Sequence, residues 1–416
     1  MPRLGGRSAS AMASEMPSQV VRGGEGTTPA TSVPAALPLD ALFEILLRLP
    51  AREICRLRAV CRSWRALASD RLFIDAHAAC HPGPFVASSF VDDGGDESCV
   101  VSIIDLSTGD VVKRIHPSVR DFRVQCTRLD LVCLVEGPHP LAVTVLNPAT
   151  GATCSSAKDL SDDYEHFLRL GHVSMDSCAF GKVPSTGEYK AFRFLHVDRH
   201  IDIGQQLCEV MTLYGSGLSQ WRAKQGPPVP VCSRHKMESV VINGVVYFLF
   251  DFLSLLCIHV GPDIKPGSII PFNLETEEWM DSLNGPKPVT QFYKEQNVII
   301  VSNCDIGEHL SLTDLNGSLV TVHTVFGCRM DFWFLSDFEK GPWVKKYSIC
   351  QRYNDFCAYP LLLLGDERIV FIMQMSDMLQ SYDPKEDTYI DILELENFRS
   401  VGIYTGNLLS LESGFN

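Results

Sequence analysis

Hydrophobic and polar positions divide the chain into three stretches of different character. Residues 1–36 are rich in Ser, Ala, Gly, Pro and Thr and show no hydrophobic periodicity, which is typical of a disordered tail. Residues 37–80 carry apolar side chains at helical spacing. Residues 85–412 carry short runs of Val, Ile, Phe and Tyr between turn residues. The pattern therefore predicts a multidomain protein, in which a disordered tail and a small all-α module precede a large all-β domain.

The helical stretch contains two periodic runs separated by a proline. The first follows Asp40, a plausible N-cap, and has the i, i+3, i+4, i+7 spacing of one helix face: Leu42, Ile45, Leu46 and Leu49. Pro50 ends this helix because it lacks a backbone N–H. The second run consists of Ile54, Leu57, Val60, Cys61, Trp64 and Leu67. Two or three helices of this size cannot build a self-sufficient core, so we expect another protein to cover some of this apolar surface.

The β stretch contains six copies of a loose unit in which an apolar strand, an Asp or Asn, a polar turn and often an aromatic residue follow one another. The copies are Ser102–Val112, Val143–Cys154, Glu209–Trp221, Ile269–Trp279, Phe332–Trp343 and Leu379–Ile390. Each is interpreted as a hairpin whose Asx side chain nucleates the turn, with the aromatic, such as Trp221, Trp279 or Trp343, packing on a neighbouring unit.

Spacings between these copies favour a β-propeller. Asp105 and Asn147 lie 42 residues apart, and Asp337 and Asp383 lie 46 apart, although Asn273 and Asp337 are 64 apart. Four-stranded blades recur at such periods, and the stretch has room for six or seven of them. Residues Ile403–Leu411 are expected to supply the strand that closes the ring. A pair of β-sandwiches remains the alternative architecture.

Val240–Val260 is long enough to resemble a membrane span. Asp251 lies at its middle, where a carboxylate costs roughly 2.5–3.5 kcal/mol. Asn243-Gly244 lies between two β-branched and aromatic runs, which is the strongest short hairpin pattern. We therefore predict buried strands here and no membrane association.

Charge and cysteine content limit the classes of binding partner and the cellular compartment that we expect for this protein. Lys+Arg number 36 against Asp+Glu 50, a net charge of −14, so the whole chain is a poor binder of polyanions. Residues 37–80 contain seven arginines but also five acids, which is too small an excess for nucleic-acid binding. Fifteen scattered cysteines without a C-x-x-C pair, and no signal-like N-terminal segment, favour free thiols in the cytoplasm or nucleus. An organellar transit peptide remains an alternative for the Arg-containing tail.

The sequence contains few motifs that indicate catalysis, metal binding or cofactor binding. Phosphate-binding, nucleophile-elbow, H-E-x-x-H and dinucleotide motifs are absent. His196 and His200 form an H-x₃-H in a strand-and-loop context, which does not favour a metal site. No catalytic residue, cofactor or metal is predicted.

Residues Leu37–His77 closely resemble an F-box. The matching positions are Leu37-Pro38, Ile45-Leu46, Leu49-Pro50, Arg58, Val60-Cys61, Ser63-Trp64 and Phe73, whereas Leu39 replaces a common acidic residue. The remainder resembles the F-box-associated domain of plant F-box proteins, with similar segments throughout residues 100–411. These segments are Phe180–Lys190, Asn243–Phe248, Phe272–Trp279 and Phe332–Lys345.

This resemblance implies a non-catalytic substrate-recognition subunit of an SCF-type ubiquitin ligase. The F-box, residues 37–80, would bind a Skp-family adaptor and through it a cullin, and the β domain, residues 85–412, would bind an unidentified target protein. The adaptor-facing residues are expected to be Leu37, Pro38, Ile45, Leu46, Leu49 and Pro50. Val60, Cys61 and Trp64 would hold the helices together and partly reach the adaptor.

An alternative remains open. A propeller can instead hold a small ligand or glycan in its central pocket, as an enzyme or a binding protein. For a receptor, the loops Arg193–Gln206 and Gln351–Tyr359 are candidate target contacts because they are polar and aromatic segments between strands.

Overall fold

A computed structural model describes most of the chain from residue 38 to residue 409. The described ranges are 38–81, 83–91, 99–119, 121–125, 128–136, 142–169, 172–199, 202–214, 217–232, 239–250, 267–286, 308–325, 328–338, 341–350, 358–373, 376–395 and 398–409. Residues 1–42 and 43–416 are two separate compact units. Of the first unit, residues 38–42 are described, and they begin the first helix. The predicted tail and Leu37 lie outside the described residues.

Four helices come first, one more than the sequence pattern predicted. They are α1 (Leu39–Leu47), α2 (Ala51–Leu57), α3 (Arg62–Ala68) and α4 (Arg71–Cys80). Pro50 separates α1 from α2, as expected. The additional helix, α4, begins at a side-chain cap, because the Asp70 carboxylate accepts a hydrogen bond from the backbone N–H of Leu72. Its buried face is built from Phe73 and His77, and the histidine does not count as an apolar position in a sequence pattern.

Strands make up most of the remaining described structure. In chain order they are β1 (Phe85–Val91), β2 (Cys99–Asp105), β3 (Val111–Ile115), β4 (Phe122–Val124), β5 (Arg128–Leu129), β6 (Val132–Glu136), β7 (Val143–Leu146), β8 (Thr153–Ser155), β9 (His172–Lys182), β10 (Tyr189–Arg199), β11 (Asp202–Tyr214), β12 (Gly217–Leu218), β13 (Arg222–Lys224), β14 (Ser239–Ile242), β15 (Val245–Leu249), β16 (Ile269–Asn273), β17 (Glu278–Trp279), β18 (Glu308–Leu315), β19 (Ser318–Val325), β20 (Arg329–Leu335), β21 (Trp343–Cys350), β22 (Ala358–Leu363), β23 (Ile369–Met373), β24 (Met378–Asp383), β25 (Thr388–Glu394) and β26 (Phe398–Tyr404). A 3₁₀ helix occupies Glu165–Arg169.

These strands form six antiparallel sheets, which we call blades. Blade 1 is β26-β1-β2-β3, blade 2 is β4-β6-β7-β8, blade 3 is β9 to β13, blade 4 is β14 to β17, blade 5 is β18 to β21 and blade 6 is β22 to β25. The short strand β5 adds to blade 1 in parallel beside β26. The fold is therefore a six-bladed β-propeller, which confirms the predicted propeller and decides between six and seven blades.

Hydrophobic clusters between the blades close the ring. One cluster joins blades 1 and 2, and further clusters join blades 2 and 3, 3 and 4, 4 and 5, 5 and 6, and 6 and 1. The first strands of neighbouring blades also contact one another, for example β9 with β14, β14 with β18 and β18 with β22. Each blade therefore buries both of its faces against its neighbours, and these strands form the inner wall of the ring.

The ring closes through the end of the chain. Strand β26 pairs antiparallel with β1, so that Phe85 lies opposite Tyr404 and Ala87 opposite Gly402. The closing strand thus begins at Phe398, earlier than the predicted segment Ile403–Leu411, of which Ile403 and Tyr404 belong to the strand. A hydrogen bond between the buried hydroxyls of Ser89 and Ser400 fastens the pair.

Each of the six sequence copies corresponds to the outer hairpin of one blade. The predicted Asx turns are present where a side-chain oxygen of Asp105, Asn147, Asn273 or Asp383 accepts the backbone N–H two residues later. Such side-chain hydrogen bonds favour the reversal of the chain between the two strands. Each sequence copy therefore identifies the outer hairpin of one blade.

Three tryptophans on these hairpins fasten their blade to the one before it. The indole Nε1 of Trp221 in blade 3 donates to the Ala157 carbonyl, 3.3 Å away, which follows blade 2. Trp279 in blade 4 donates to Gln225 at 2.8 Å. Trp343 in blade 5 donates to Asn284 at 2.8 Å. The tryptophans therefore join consecutive blades, in agreement with their predicted packing role.

The apolar segment Val240–Val260 begins as a hairpin. Strands β14 and β15 pair across Asn243-Gly244, whose φ angles are +49° and +76°. Both values lie in the left-handed region, which a two-residue hairpin turn of type I′ requires at both central residues. Residues 251–260 lie outside the described residues. Of the helices in the described ranges, none has the length and apolar character needed to cross a membrane.

Candidate protein-binding surface of the helical module

Helices α1 to α4, here called the helical module, bury a compact set of apolar side chains. Leu46, Ile54, Ala68 and Phe73 are almost fully inaccessible to solvent. The ring of Phe43 meets the ring of Phe73 edge-on, with centroids 5.3 Å apart. This edge-to-face contact is a favourable aromatic geometry and joins α1 to α4.

Other apolar side chains of the module face solvent. Ile45 is 48% exposed, Val60 63% and Leu72 76%. Leu39, at the start of α1, is also exposed. Within the described ranges, eight large hydrophobic side chains are exposed, and three of them, Ile45, Val60 and Leu72, lie close together in the sequence. Such a concentration is typical of a surface that a partner protein covers.

The structure separates the predicted adaptor-facing residues into three groups. Pro38, Ile45 and Pro50 are exposed, and Leu49 is half-buried. Leu46 is 1% exposed and belongs to the core of the module, so it does not lie on the solvent-facing surface. Ile45 and Leu46 are neighbours on a helix, where successive side chains point about 100° apart, and packing on the other helices selects which one is buried.

Val60, Cys61 and Trp64 were expected to hold the helices together and partly to reach the adaptor. Trp64 is half-buried and fits that expectation in part. Val60 and Cys61 are exposed instead, because they lie in the turn between α2 and α3 and not on a packed face. Leu72, which sequence reasoning missed, is more exposed than either Ile45 or Val60.

His77 of α4 and His81, which directly follows α4, hold the end of α1. His77 Nε2 lies 2.8 Å from the Leu49 carbonyl oxygen, and His81 Nε2 lies 2.8 Å from the Leu47 carbonyl oxygen. Carbonyl oxygens accept, so both Nε2 atoms carry the hydrogen. The two imidazole rings stack with centroids 4.3 Å apart. Burial lowers the pKa of His77, and the neighbouring His81 lowers it further, although the bond to Leu49 acts to raise it.

Arg58 joins the module to the propeller. Its guanidinium donates to the Ala68 carbonyl at the end of α3, with Nη2 at 2.6 Å, and to the Leu409 carbonyl at 2.7 Å. The Asn407 amide Nδ2 also donates to the Ile74 carbonyl of α4, 2.9 Å away. The segment that follows β26 therefore bonds to helices α3 and α4 by way of these groups, while Ala51 of α2 packs against the core between blades 1 and 2.

Comparisons with known proteins agree with this architecture. Residues 35–75 match the model of the F-box domain, and residues 92–398 match the model of the F-box associated beta propeller domain. The second match alone covers most of the chain. The chain belongs to the F-box proteins that carry an F-box associated propeller.

Similar proteins in Arabidopsis thaliana support the assignment to this plant family. An F-box/kelch-repeat protein is 26% identical over 337 residues, covering 76% of this chain and 80% of the relative. An F-box protein is 23% identical over 422 residues, covering 90% of this chain and 91% of the relative. Among solved structures, a periplasmic gluconolactonase of Pseudomonas aeruginosa aligns at a TM-score of 0.40 with 10% identity, covering 77% of this chain and 98% of that one. The lactonase activity in that name describes the bacterial protein.

In the propeller of this F-box protein, the short segment Arg128–Asp130 bonds to several blades. Arg128 Nη2 donates to the carbonyl of Asp314 at 2.7 Å and to the carbonyl of Leu361. Arg128 Nε also lies 3.3 Å from Asp314 Oδ2. Asp130 accepts a hydrogen bond from the hydroxyl of Tyr189. The segment thereby bonds to inner strands β18 and β22 and to blade 3, and it ties together blades that are not neighbours in sequence.

The remaining sequence candidates fall mainly outside the described residues. His200 and residues 351–357 are not described, and the segment Arg193–Gln206, predicted as a loop, belongs to strand β10 as far as Arg199 and to strand β11 from Asp202. Arg193 itself is fully buried and forms an ion pair with Glu209, also fully buried, at 2.5 Å. It is therefore a core residue of blade 3 and not a loop contact. In the described part of the chain, no three His, Cys, Asp or Glu side chains come close enough to hold a metal ion.

Proposed function

We propose that this F-box protein is the substrate-recognition subunit of an SCF-type ubiquitin ligase. Its helical module binds a Skp-family adaptor and through it a cullin, and its propeller binds a target protein. The subunit itself performs no chemistry. Its working compartment is the cytoplasm, the nucleus or both.

The exposed apolar side chains of the helical module carry this proposal. Ile45, Val60 and Leu72 face solvent although the module has its own buried core. Burying apolar surface against a partner stabilises a complex by roughly 25 cal/mol per Å². Pro38 and Pro50, which match the F-box pattern, are exposed as well. A protein partner that covers these residues is therefore the simplest account of their exposure.

Replacing Ile45 with Asp tests the adaptor surface. Ile390 on blade 6 provides a matched control, because it is the same residue type and is 51% exposed, close to the 48% of Ile45. Interface residues of this kind change binding by roughly 2 kcal/mol when they are central, a factor of about 30. We expect Ile45→Asp to weaken binding of a purified Skp-family adaptor by about this factor.

Ile390→Asp is expected to leave adaptor binding unchanged. Calorimetry on the full-length variants measures both affinities, and circular dichroism reports whether the fold is kept. If wild type and Ile45→Asp bound the adaptor with equal affinity, the proposed adaptor surface would be refuted. Binding of the target is tested separately, by proximity labelling under proteasome inhibition with wild type and Ile45→Asp.

A further inference from the structure

The end of helix α1 poses a capping problem. Pro50 has no N–H to donate to the helix, so α1 stops at Leu47. Two hydrogen bonds that span three residues, as in a 3₁₀ helix, tighten its last turn. The Arg48 N–H donates to the Ile45 carbonyl, and the Leu49 N–H donates to the Leu46 carbonyl. The last carbonyls of any helix lack partners within the helix and need donors from elsewhere. The carbonyls of Leu47 and Leu49 are of this kind.

Helix α4 supplies those donors. His77 lies in the last turn of α4 and His81 caps its C-terminus, and the two rings stack on each other. Each ring directs its Nε2–H to one of the two carbonyls at 2.8 Å. Phe73, four residues before His77, packs on Phe43 of α1 and extends the same contact. One face of α4 therefore fixes both the helical part of α1 and the turn that follows it.

The turn fixed in this way carries part of the proposed adaptor surface. Ile45 lies two residues before Leu47, and Pro50 directly follows Leu49. Both side chains are exposed, whereas His77 is buried. His77 therefore cannot contribute by contact with an adaptor. It can contribute only by setting the position of the exposed residues on α1.

We propose that His77 and His81 are positioning residues for adaptor binding, which act by donating hydrogen bonds to the carbonyls at the proline-terminated end of α1. This inference rests on the function proposed above. It assigns to the two histidines a role that depends on their Nε2–H donors. Without the donors, the carbonyls of Leu47 and Leu49 lose these partners, and the exposed residues beside them lose their fixed geometry.

The test compares substitutions that remove or keep the donor. His77→Leu and His81→Leu remove it, while His77→Gln and His81→Gln keep an amide N–H at a similar reach. His166→Leu, at an exposed histidine of the 3₁₀ helix before blade 3, is the matched control. Affinity for a purified Skp-family adaptor is measured on the full-length proteins. Hydrogen exchange of the backbone amides of residues 45–54 is followed in the same proteins without adaptor.

Each leucine variant is expected to bind the adaptor about 10-fold more weakly, which equals about 1.4 kcal/mol. Each glutamine variant is expected to stay within about 3-fold of wild type, and His166→Leu is expected to match wild type. Exchange in residues 45–54 should become faster in the leucine variants and remain slow in the glutamine variants. His81 is less buried than His77, so the pair of variants at position 81 remains informative if His77→Leu unfolds the module.

Two results would overturn the inference while leaving the proposed function in place. In the first, wild type binds the adaptor and both leucine variants bind equally well. In the second, leucine and glutamine variants lose affinity equally, which would mean that ring packing matters and the donor does not. Failure of wild type itself to bind the adaptor would instead refute the proposed function.

Discussion

Arg58 donates a hydrogen bond to the carbonyl of Leu409, a residue 351 positions later in the chain. The same guanidinium donates to the Ala68 carbonyl at the end of α3. Arg58 was recognised in the sequence only as one position of an F-box pattern. In the structure it is a contact between the helical module and the segment that follows the closing strand of the propeller.

Replacing Arg58 with Ala should therefore destabilise the whole chain and not only the module. The change leaves the carbonyls of Ala68 and Leu409 without their donor, and an unsatisfied buried group costs roughly 1–3 kcal/mol. We expect the free energy of unfolding to fall by about 2 kcal/mol in urea titrations. Lys at this position should not restore it, because an ammonium cannot reproduce the planar fork of a guanidinium.

The exposed Arg52 of α2 offers a control for this experiment. Arg52→Ala removes the same charge from the helix that Arg58 caps, and we expect a change below about 0.5 kcal/mol for a surface substitution. Similar losses for the two variants would show that Arg58 acts through charge alone and that its contact with Leu409 contributes little.

Glu277 gives the protein a contribution to stability that acid should remove. Its carboxylate, in the outer turn of blade 4, accepts from Lys190 at 2.8 Å, Arg222 at 2.6 Å and Lys224 at 2.5 Å, all in blade 3. Burial acts to raise the pKa of Glu277, but these hydrogen bonds outweigh it and lower the pKa to about 2. The unfolded chain binds this proton near pH 4.5, so the contribution is complete above that pH and is lost as the pH falls toward 2.

Glu277→Gln should lower the free energy of unfolding by roughly 2 kcal/mol at neutral pH, because three cations lose their shared partner. The difference from wild type should shrink as the pH falls below 4.5. The neighbouring exposed Glu278 serves as the control, and Glu278→Gln should be close to neutral. Urea titrations at several pH values measure these differences, and a difference that does not depend on pH would contradict the electrostatic account.

Trp279 should contribute more to stability than its size alone implies. Its Nε1 donates to the Gln225 carbonyl between blades 3 and 4. Trp333 in blade 5 is also half-buried, but its Nε1 has no hydrogen-bond partner among the described residues. Both Trp→Phe changes remove similar apolar area, so the hydrogen bond is the main difference between them.

We expect Trp279→Phe to destabilise the protein by about 1 kcal/mol more than Trp333→Phe, the net value of a typical hydrogen bond. Thermal and urea unfolding of the two variants provide the measurement. An equal loss at both positions would mean that these tryptophans act through packing alone and do not fasten one blade to the next by their indole N–H.

Local patterns in the sequence predicted the parts of the fold that depend on neighbouring residues. The Asx turn at Asn147 and the hairpin at Asn243-Gly244 are examples, since a side chain and its own backbone suffice to form them. The end of α1 before Pro50 was predicted for the same reason. Blade number was left open because the spacing of the six copies varies with the connections between blades.

Features that depend on long-range packing were not predictable. The sequence pattern places Ile45 and Leu46 on the same apolar side of α1, but only the folded structure shows that Leu46 is buried and Ile45 exposed. The closing strand begins at Phe398, before the predicted start at Ile403. Its bounds depend on its pairing with β1, which is distant in the sequence, so no local pattern shows them. Likewise, no local pattern relates His77 to a carbonyl 28 residues earlier.

The pairing of β26 with β1 has a consequence for protein synthesis. The inner strand of blade 1 and the contacts of Asn407 and Leu409 come from residues that are synthesised after all the other blades. A nascent chain therefore carries its F-box long before its propeller can close. Under the proposed function, premature termination before residue 398 would yield a polypeptide with the adaptor-binding module but no closed propeller, and such a fragment would compete with the intact protein for the adaptor.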